Sequence, residues 1–441
     1  MLRVHVSILL ASAIWVGMTS KSVAAPAPSS PATGDTWAVG SQHRVIWTST
    51  DLARDAKIRL DFSADGGKTW SEIVATAPNT GQFVWRIPNA MTREGRVRLS
   101  TGGTSEVSES FAVIPSQARS YRWKNITTKA AFAPRDGAGA LVFRDKLWFL
   151  GGWNPGDKKH FPRICNNEVW SSADGANWVL EKPNTFLDRT FDSGKDWEGR
   201  HTAGYAVFKD RMWIVGGDVN QGHYHNDVWS SADGKKWDFV NAGRPVPWGP
   251  RALHYTCVHK DRLWVIGGQT VPGFAPSAEA FYRDIWSSSD GISWEKSKPK
   301  EPYWPQRGMI GGSAVFKDRI WILGGGTYET PKVPERKFFN DVWSSADGVS
   351  WTKHLGLAPW EARQYHDVAV FDDRLWVLEG YAAASGNRKD VWYSADGANW
   401  YEVPATPWKP RHAASVFTFK NGLWMVAGNN MESDVWKLER E

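Results

Sequence analysis

The chain has 441 residues, among them 29 tryptophans and 41 glycines, and its 53 basic and 47 acidic side chains give a formal net charge of +6. This small excess lacks the concentrated positive charge of nucleic-acid-binding proteins, so we exclude nucleic acid as a partner. Beyond the N-terminus no apolar run approaches the roughly 20 residues of a transmembrane helix, so no membrane span is predicted.

Residues 1–24 have the organisation of a secretory signal peptide. Arg3 precedes an apolar stretch at residues 6–18, and the small residues at 22–24 provide a cleavage site. We therefore expect a secreted or periplasmic protein. Residues 25–33 are rich in proline, alanine and serine and are predicted to form an extended linker.

Residues 34–115 alternate apolar and polar side chains in short runs, which predicts a small β-sandwich. The expected strands are residues 43–47, 57–62, 83–88, 96–100 and 108–113. The Asn-x-Gly-x-Phe-x-Trp-x-Ile-Pro run at residues 79–88 is similar to one strand of the immunoglobulin-like modules of exported proteins. That resemblance implies a module that spaces or docks a neighbouring domain.

Residues 121–441 repeat one pattern six times, at intervals of about 50 to 65 residues. Each copy starts with an arginine and small residues, passes through a Phe-x-Asp-Arg-Leu-Trp turn to a Gly-Gly pair, and continues to Asn-Asp-Val-Trp and Asp-Gly-x-x-Trp. Each copy holds four short strand patterns, so the sequence predicts an all-β fold, a six-bladed β-propeller. The Gly-Gly positions are 151–152, 216–217, 267–268 and 324–325, with Glu379-Gly380 and Ala427-Gly428 in the last two copies.

Strands that crowd a central axis need small side chains, and residues 137–140, 311–314 and 413–415 provide them. With its Gly-Gly strand end and its tryptophan half a repeat later, the pattern resembles the kelch family of β-propellers. The resemblance covers residues 121–441 and implies architecture, not chemistry. We assign most tryptophans to packing between blades, in preference to a stacking platform for sugars or bases.

The sixth copy ends five residues after Trp436, before its outermost strand. A strand pattern at residues 121–126 precedes the first repeat arginine, and we predict that it completes the last blade. Pairing of the two ends would close the circle and remove both exposed sheet edges.

Loop lengths predict two unlike faces. The Phe-x-Asp turns and the Asp-Gly hairpins are short and nearly identical, whereas the connections after the Gly-Gly pair and after the outer tryptophan vary widely. We expect the binding surface on the face with the long connections.

The arginine that starts each inner strand lies near the mouth of that face. Two interpretations stay open: in the first, each guanidinium satisfies carbonyl groups and an acidic side chain of the next blade; in the second, some of them bind a carboxylate, sulfate or phosphate. The predicted ligand-binding residues are Arg135, Arg200, Arg251, Arg307, Arg363 and Arg411, together with Tyr255.

Residues that break the repeat near these arginines are candidates for acid/base chemistry, with a hydrogen-bonded structural role as the alternative for each histidine. They are His201, His254, Tyr365, His366, His412 and Glu198. His223 and His225 offer two ligands of a metal site without a third at defined spacing, and no cofactor is predicted. For Cys165 and Cys257, a disulfide and two separate thiols both stay open.

Arg363-Gln364-Tyr365-His366 is similar to a copper-site segment of the galactose oxidase family, but that family's cross-linked Cys and second His ligand have no counterpart here, which argues against a copper-radical oxidase. Exported sialic-acid mutarotases resemble the chain in size and fold only. We predict an exported propeller that binds a carbohydrate, an anionic saccharide or a glycosylated protein at the long-loop face. The alternative is a sugar-acid epimerase, mutarotase or lyase.

Overall fold

The computed structural model describes residues 24–48, 52–161, 163–219, 223–273, 276–308 and 313–441. The predicted signal peptide, except for Ala24, and the small-residue positions 311–312 lie outside these residues. Within them the secondary structure consists of strands and turns, with no helix. Accordingly, the described residues include no helix of the length and apolarity needed to cross a bilayer.

The described residues form two compact units by their internal contacts: residues up to Asp35 with 45–83 and 92–112, and residues 36–44 with 84–91 and 113–441. In the first unit the antiparallel pairs β4–β5, β4–β7 and β7–β8 build one sheet over a core that includes Leu60, Val97 and Leu99. The immunoglobulin-like assignment stays a prediction. The N-terminal strands are β1 (Ala27–Ser30), β2 (Thr36–Ala38), β3 (Gln42–Thr48), β4 (Lys57–Ser63), β5 (Ser71–Pro78), β6 (Gln82–Arg86), β7 (Thr92–Thr101), β8 (Thr104–Val107) and β9 (Phe111–Ile114).

The second unit contains six four-stranded antiparallel arrangements within the described residues, which we call blades 1 to 6. The strands of each blade are given below from the inside outwards. The outer strand of blade 6 is β10 (Tyr121–Thr127). Blade 1 has β11 (Gly139–Phe143), β12 (Lys146–Leu150), β13 (Val169–Ser172) and β14 (Val179–Lys182); blade 2 has β15 (Gly204–Phe208), β16 (Arg211–Asp218), β17 (Tyr224–Ser231) and β18 (Asp238–Phe239). Blade 3 has β19 (Tyr255–His259), β20 (Arg262–Ile266), β23 (Ile285–Ser288) and β24 (Glu295–Lys296), with β21 (Gln269–Thr270) and β22 (Ala280–Phe281) in its connection.

Blade 4 has β25 (Ser313–Phe316), β26 (Arg319–Gly326), β27 (Phe338–Ser345) and β28 (Thr352–Leu355), followed by β29 (Arg363–Gln364). Blade 5 has β30 (Asp367–Phe371), β31 (Arg374–Leu378), β34 (Val391–Ser394) and β35 (Tyr401–Glu402), with β32 (Tyr381–Ala382) and β33 (Gly386–Asn387) in its connection; blade 6 has β36 (Ser415–Phe419), β37 (Gly422–Val426) and β38 (Val435–Arg440). The inner strands contact their neighbours in order, and the last, β36, contacts the first, β11. This closed cycle defines a β-propeller.

The N-terminal strand closes the circle as predicted. β10 pairs antiparallel with β38, with Tyr121 opposite Arg440 and Asn125 opposite Trp436. The last blade therefore takes its outer strand from the start of the propeller, and both ends of the repeat array are hydrogen-bonded.

Tryptophan and glycine fix the packing between neighbouring blades. The indole Nε1 of Trp148 donates to the carbonyl of Phe143 at 2.9 Å, and its ring lies against Gly234 of the next blade. A Cβ on Gly234 would approach the Trp148 ring to 2.2 Å, so only glycine fits there. Equivalent contacts pair Gly291 with Trp213 and Gly348 with Trp264. These repeated contacts explain the tryptophan content as packing between blades.

Candidate functional site

Two positions in each blade place side chains around the mouth of the propeller. The residue after the repeat arginine forms a backbone pair with the residue after the Gly-Gly position, on the face with the long connections. The pairs are Asp136–Trp153, His201–Asp218, Ala252–Gln269, Gly308–Gly326 and Gln364–Tyr381, and in blade 6 the Asn429 N–H donates to the His412 carbonyl at 2.9 Å. At these paired positions, blades 1, 2 and 6 thus contribute the carboxylate and imidazole side chains of the mouth.

The next residue along each inner segment adopts a left-handed backbone conformation. The φ angles are 58° at Gly137, 54° at Thr202, 55° at Leu253, 59° at Tyr365 and 50° at Ala413. In four of these bends the backbone N–H donates to a neighbouring blade: for example, Thr202 donates to the Gly137 carbonyl at 3.2 Å and Gly137 to that of Ala413 at 3.0 Å. The counterpart in blade 4 lies outside the described residues. These hydrogen bonds link successive blades directly beneath the mouth.

A cavity of ≈ 420 Å³ lies at this mouth, within the size range of small-molecule sites. Leu253, Tyr365 and Ala413, which carry left-handed bends, line it. Its remaining walls combine aromatic rings with a few polar groups. The aromatic residues are Trp153, Tyr224, Tyr328, Phe338, Tyr365 and Tyr381, and the polar ones are Asp136, His201, Asp218, Arg336, His412 and Asn429.

Three of the polar residues, which we call the acid–base cluster, are Asp136, His201 and Asp218. His201 lies between the carboxylates: its Nδ1 is 3.3 Å from Oδ1 of Asp218 and its Nε2 is 3.6 Å from Oδ1 of Asp136. Thr202 Oγ1 donates to Oδ2 of Asp218 at 2.8 Å, and Asn429 Nδ2 donates to Oδ2 of Asp136 at 3.1 Å. The backbone pairing and these hydrogen bonds hold all three groups in place.

The cluster has shifted proton affinities for identifiable reasons. Burial raises the pKa of Asp136 to about 6, although the His201 charge and the Asn429 hydrogen bond oppose the shift. Burial of the His201 ring disfavours its charged form, but the Asp218 and Asp136 carboxylates outweigh that effect and raise its pKa. Near neutral pH the Asp136 carboxyl group is therefore close to its titration range, beside an imidazole whose charged form is favoured.

His412 also lines the cavity. Its Nδ1 lies 2.7 Å from Oδ1 of Asn387, and its ring centroid lies 5.1 Å from that of Tyr365 and 5.8 Å from that of Tyr381. Burial, with a smaller contribution from the His201 charge, lowers its pKa to about 4. At physiological pH the His412 ring is therefore neutral and can form hydrogen bonds.

The predicted arginine ring does not line this cavity. All six guanidinium groups are almost completely buried, and each forms an ion pair with the acidic residue two positions before the Val-Trp or Ile-Trp tryptophan of its own blade. The pairs are Arg135–Glu168, Arg200–Asp227, Arg251–Asp284, Arg307–Asp341, Arg363–Asp390 and Arg411–Asp434. The acidic partner thus comes from the same blade, and not from the next blade as we expected.

The same carboxylate also binds a tryptophan, so each blade contains an Arg–acid–Trp unit. In all six blades the tryptophan Nε1 donates to this carboxylate at 2.6–2.9 Å. In five blades the arginine also donates to the carbonyl of the first Gly-Gly residue, at 2.7–3.1 Å. Because their guanidinium groups are buried in these ion pairs, these arginines are not carried into the proposed binding site.

His254, His366 and Tyr255 are also buried away from the ≈ 420 Å³ cavity. The His366 ring donates from Nε2 to the Leu323 carbonyl of the preceding blade at 2.7 Å. Burial and then the nearby arginine charges lower the pKa of His254 and of His366 to about 3. Both rings are neutral, and the contact of His366 joins adjacent blades. His254 and Tyr255 line a smaller cavity of ≈ 190 Å³ among the inner strands.

Asp367 lines the same smaller cavity and forms a hydrogen-bonded pair with Glu379, which replaces the first glycine of the fifth Gly-Gly pair. Burial raises the pKa of both carboxyl groups, most strongly that of Glu379, which is also next to the Asp367 charge. Above about pH 4 the unfolded chain releases these two protons, whereas the folded state keeps them. The free energy of unfolding therefore decreases as the pH rises from about 4 through the pKa values of the folded state.

The variant Glu379→Gln removes the more strongly perturbed acid and keeps a hydrogen-bond donor for Asp367. We expect it to be more stable than the wild type at pH 8 by about 1–2 kcal/mol, and the two curves to converge towards pH 4. Urea unfolding at both pH values measures the difference. The exposed Glu335→Gln is the control and should follow the wild type; parallel curves for Glu379→Gln and wild type would contradict the assignment.

The remaining predicted residues, Glu198, His223 and His225, lie together beside β17, and Cys165 and Cys257 are free thiols. The sequence analysis missed Asp136, Asp218 and most of the aromatic wall. Asp136 directly follows the first repeat arginine, and Asp218 directly follows a Gly-Gly pair. Comparing these two positions across the repeats would therefore have pointed to both carboxylates. The aromatic side chains of the long connections follow no repeat position.

No protein-family model matches the chain. Over 251 residues, 52% of the chain, it is 26% identical to alpha-scruin of Limulus polyphemus and covers 24% of that protein. Over 192 residues, 39% of the chain, it is 27% identical to the leucine-zipper-like transcriptional regulator 1 homolog of Drosophila melanogaster and covers 18% of it. The chain thus spans about a quarter or less of the length of these curated relatives.

Among solved structures, YjhT is similar to the chain with a TM-score of 0.51 and 14% sequence identity, covering 70% of this chain and 95% of YjhT. A likeness at this identity establishes the fold and no more. Together with the repeat pattern and the closed cycle of sheets, it identifies the fold as a kelch-type β-propeller.

Proposed function

We propose that the propeller binds an uncharged saccharide unit in the ≈ 420 Å³ cavity. The observation that carries the proposal is the combination of six aromatic side chains with carboxylate, imidazole and amide groups around one pocket. Aromatic faces pack against the apolar faces of a sugar ring, and the polar groups can bind its hydroxyls. As part of the same proposal, the protein is exported.

The charge of the cavity favours a neutral ligand over an anionic one. Asp136 and Asp218 bring carboxyl groups to the wall, and the arginines expected to bind an anion are held in buried ion pairs. The cation that does line the cavity, Arg336, contacts the Tyr328 and Phe338 rings from 5.6 and 5.8 Å. An acidic sugar would therefore meet repulsion from the acid–base cluster.

Binding to a panel of neutral oligosaccharides and uronates, measured by calorimetry on the full chain, tests this proposal. We expect neutral sugars to bind, and Asp218→Asn to weaken binding by roughly 10-fold to 100-fold because a charge-assisted hydrogen bond is lost. Trp153→Ala should cost about 10-fold through lost ring contact.

Phe161→Ala is the matched control, because Phe161 is an exposed aromatic residue on the first long connection that does not line the cavity. It should bind like the wild type. Equal binding by Trp153→Ala, Asp218→Asn and wild type would place the ligand elsewhere, and a preference for uronates would contradict the proposed neutral ligand.

A second candidate function is catalysis of proton transfer on the bound sugar, as in mutarotation. It is favoured by Asp136, a carboxyl group of pKa about 6 at the cavity wall beside His201. In mutarotation a base removes the proton of the anomeric hydroxyl, an acid protonates the ring oxygen, and the ring C–O bond breaks to give the open-chain carbonyl form. Reclosure on the other face returns both protons, so the reaction needs no oxidant, reductant or cofactor.

A further inference from the structure

A cluster of three potential metal ligands lies beside β17, apart from the acid–base cluster. Glu198 precedes the inner segment of blade 2, His223 directly precedes β17, and His225 is the second residue of β17. One carboxylate oxygen of Glu198, Oε2, is 2.9 Å from Nε2 of His223 and 3.4 Å from Nε2 of His225. The two histidines thus direct the same ring nitrogen at the same oxygen.

The spacing suits a small transition-metal ion. Ligands at about 2.1 Å from a tetrahedral zinc are about 3.4 Å apart, and the two measured distances lie close to that value. All three donor atoms lie within 4.8 Å of one another. An ion could therefore be accepted with small side-chain rotations.

Burial and hydrogen bonding give a second, independent indication. His225 is only 9% exposed, yet its Nε2 makes no hydrogen bond to any described residue and has only the 3.4 Å approach to Glu198 Oε2. A buried imidazole nitrogen without a partner is costly unless a ligand binds it.

The other nitrogen of His225 has the neighbour expected behind a metal ligand. Its Nδ1 is 3.6 Å from Oδ2 of Asp227, the carboxylate that also pairs with Arg200. A carboxylate behind the distal ring nitrogen orients the imidazole and directs the near nitrogen towards a metal.

We propose that Glu198, His223 and His225 bind one divalent transition-metal ion of the zinc class, with a fourth position open to water. Two imidazoles and a carboxylate are a ligand set that zinc uses with an open coordination position. The His223 side chain is 55% exposed, so the ion can enter from solvent. Because Tyr224, between the two histidines, lines the saccharide cavity, the ion would also fix that wall.

The test uses the full, tag-free chain after dialysis against a chelator. We expect one zinc per chain on titration with zinc chloride, measured by calorimetry and by metal analysis after gel filtration, and a higher melting temperature with zinc. With cobalt in place of zinc, the d–d absorption should show nitrogen and oxygen ligands. His223→Ala, at an exposed position, and Glu198→Gln should each weaken binding at least about 10-fold.

His160→Ala is the matched control, because His160 is another partly exposed histidine beside a carboxylate, Asp157. It should bind zinc like the wild type. No stoichiometric zinc in the wild type, or affinity unchanged in both His223→Ala and Glu198→Gln, would overturn the proposal. Loss of the ion in His160→Ala alone would also overturn it. Binding of saccharide is measured separately, so failure here leaves the cavity proposal intact.

Discussion

Replacement of Arg411 by methionine is expected to lower the free energy of unfolding by about 3–5 kcal/mol. The guanidinium is fully buried and donates two hydrogen bonds to Asp434, at 2.8 and 2.7 Å, and one to the Ala427 carbonyl at 2.7 Å. Methionine removes these donors and the positive charge. The buried Asp434 carboxylate then keeps the hydrogen bond from the uncharged Trp436 Nε1 but has lost its ion pair with Arg411. Urea unfolding followed by tryptophan fluorescence measures the loss.

Two further variants separate the ion pair from packing. Arg440→Met breaks a half-exposed pair with Asp372, 3.3 Å long, and should cost no more than about 1 kcal/mol. Arg411→Met combined with Asp434→Leu should be more stable than Arg411→Met alone, because no unpaired buried charge remains. A cost below about 1 kcal/mol for Arg411→Met would show that the Arg–acid–Trp unit is not a main source of stability.

The Arg–acid–Trp unit explains why the repeat could be read so far from sequence. Its arginine, acid and tryptophan recur in every copy of the repeat, as does the Gly-Gly position or its equivalent. Because these residues keep the same order in each copy, each copy is predicted to have the same order of strands. The pairing of β10 with β38 followed from one missing strand at one end and one extra strand at the other. Patterns set by neighbouring residues are therefore sufficient for the propeller.

The arginine partners were misjudged for a physical reason. The acidic residue before Val-Trp or Ile-Trp recurs in every repeat, in or directly before the third strand of the blade. Its spacing in the sequence does not reveal whether its side chain meets the arginine of its own blade or that of the next blade. The register of the inner and third strands decides it, and the structure places Asp434 opposite Arg411 in the same blade. The bidentate ion pair of Arg411 with the single Asp434 carboxylate then keeps this arginine away from the mouth.

The cavity was only partly predictable. His201, Tyr365 and His412 were found because they break the repeat at the inner segment, and all three line the cavity. Asp218 follows a Gly-Gly pair in the sequence, but its place opposite His201 is set by backbone pairing between segments that are distant in sequence. Tyr328 reaches the mouth from a long connection whose course depends on packing against neighbouring blades, which no local pattern encodes.

If the cavity catalyses mutarotation, Asp136→Asn is expected to lower the catalysed rate constant at least about 100-fold while saccharide affinity changes little. Oδ1 of Asp136 lies 3.6 Å from Nε2 of His201 and has no hydrogen bond to a described residue, so no described neighbour uses its hydrogen-bonding capacity. Asparagine keeps the shape and the neighbours of this side chain but cannot exchange a proton. Exchange spectroscopy between anomers measures the rate directly.

The pH profile distinguishes a proton-transfer role from a structural one. Since burial places the pKa of Asp136 at about 6, the wild-type rate should change through an inflection near that pH, and Asp136→Asn should lack it. Glu335→Gln, which changes an exposed carboxyl group, should retain both the rate and the inflection. A wild-type rate equal to that of buffer alone would exclude catalysis and leave saccharide binding as the proposed function. An unchanged rate in Asp136→Asn would show that another group transfers the proton, because asparagine cannot act as an acid or a base.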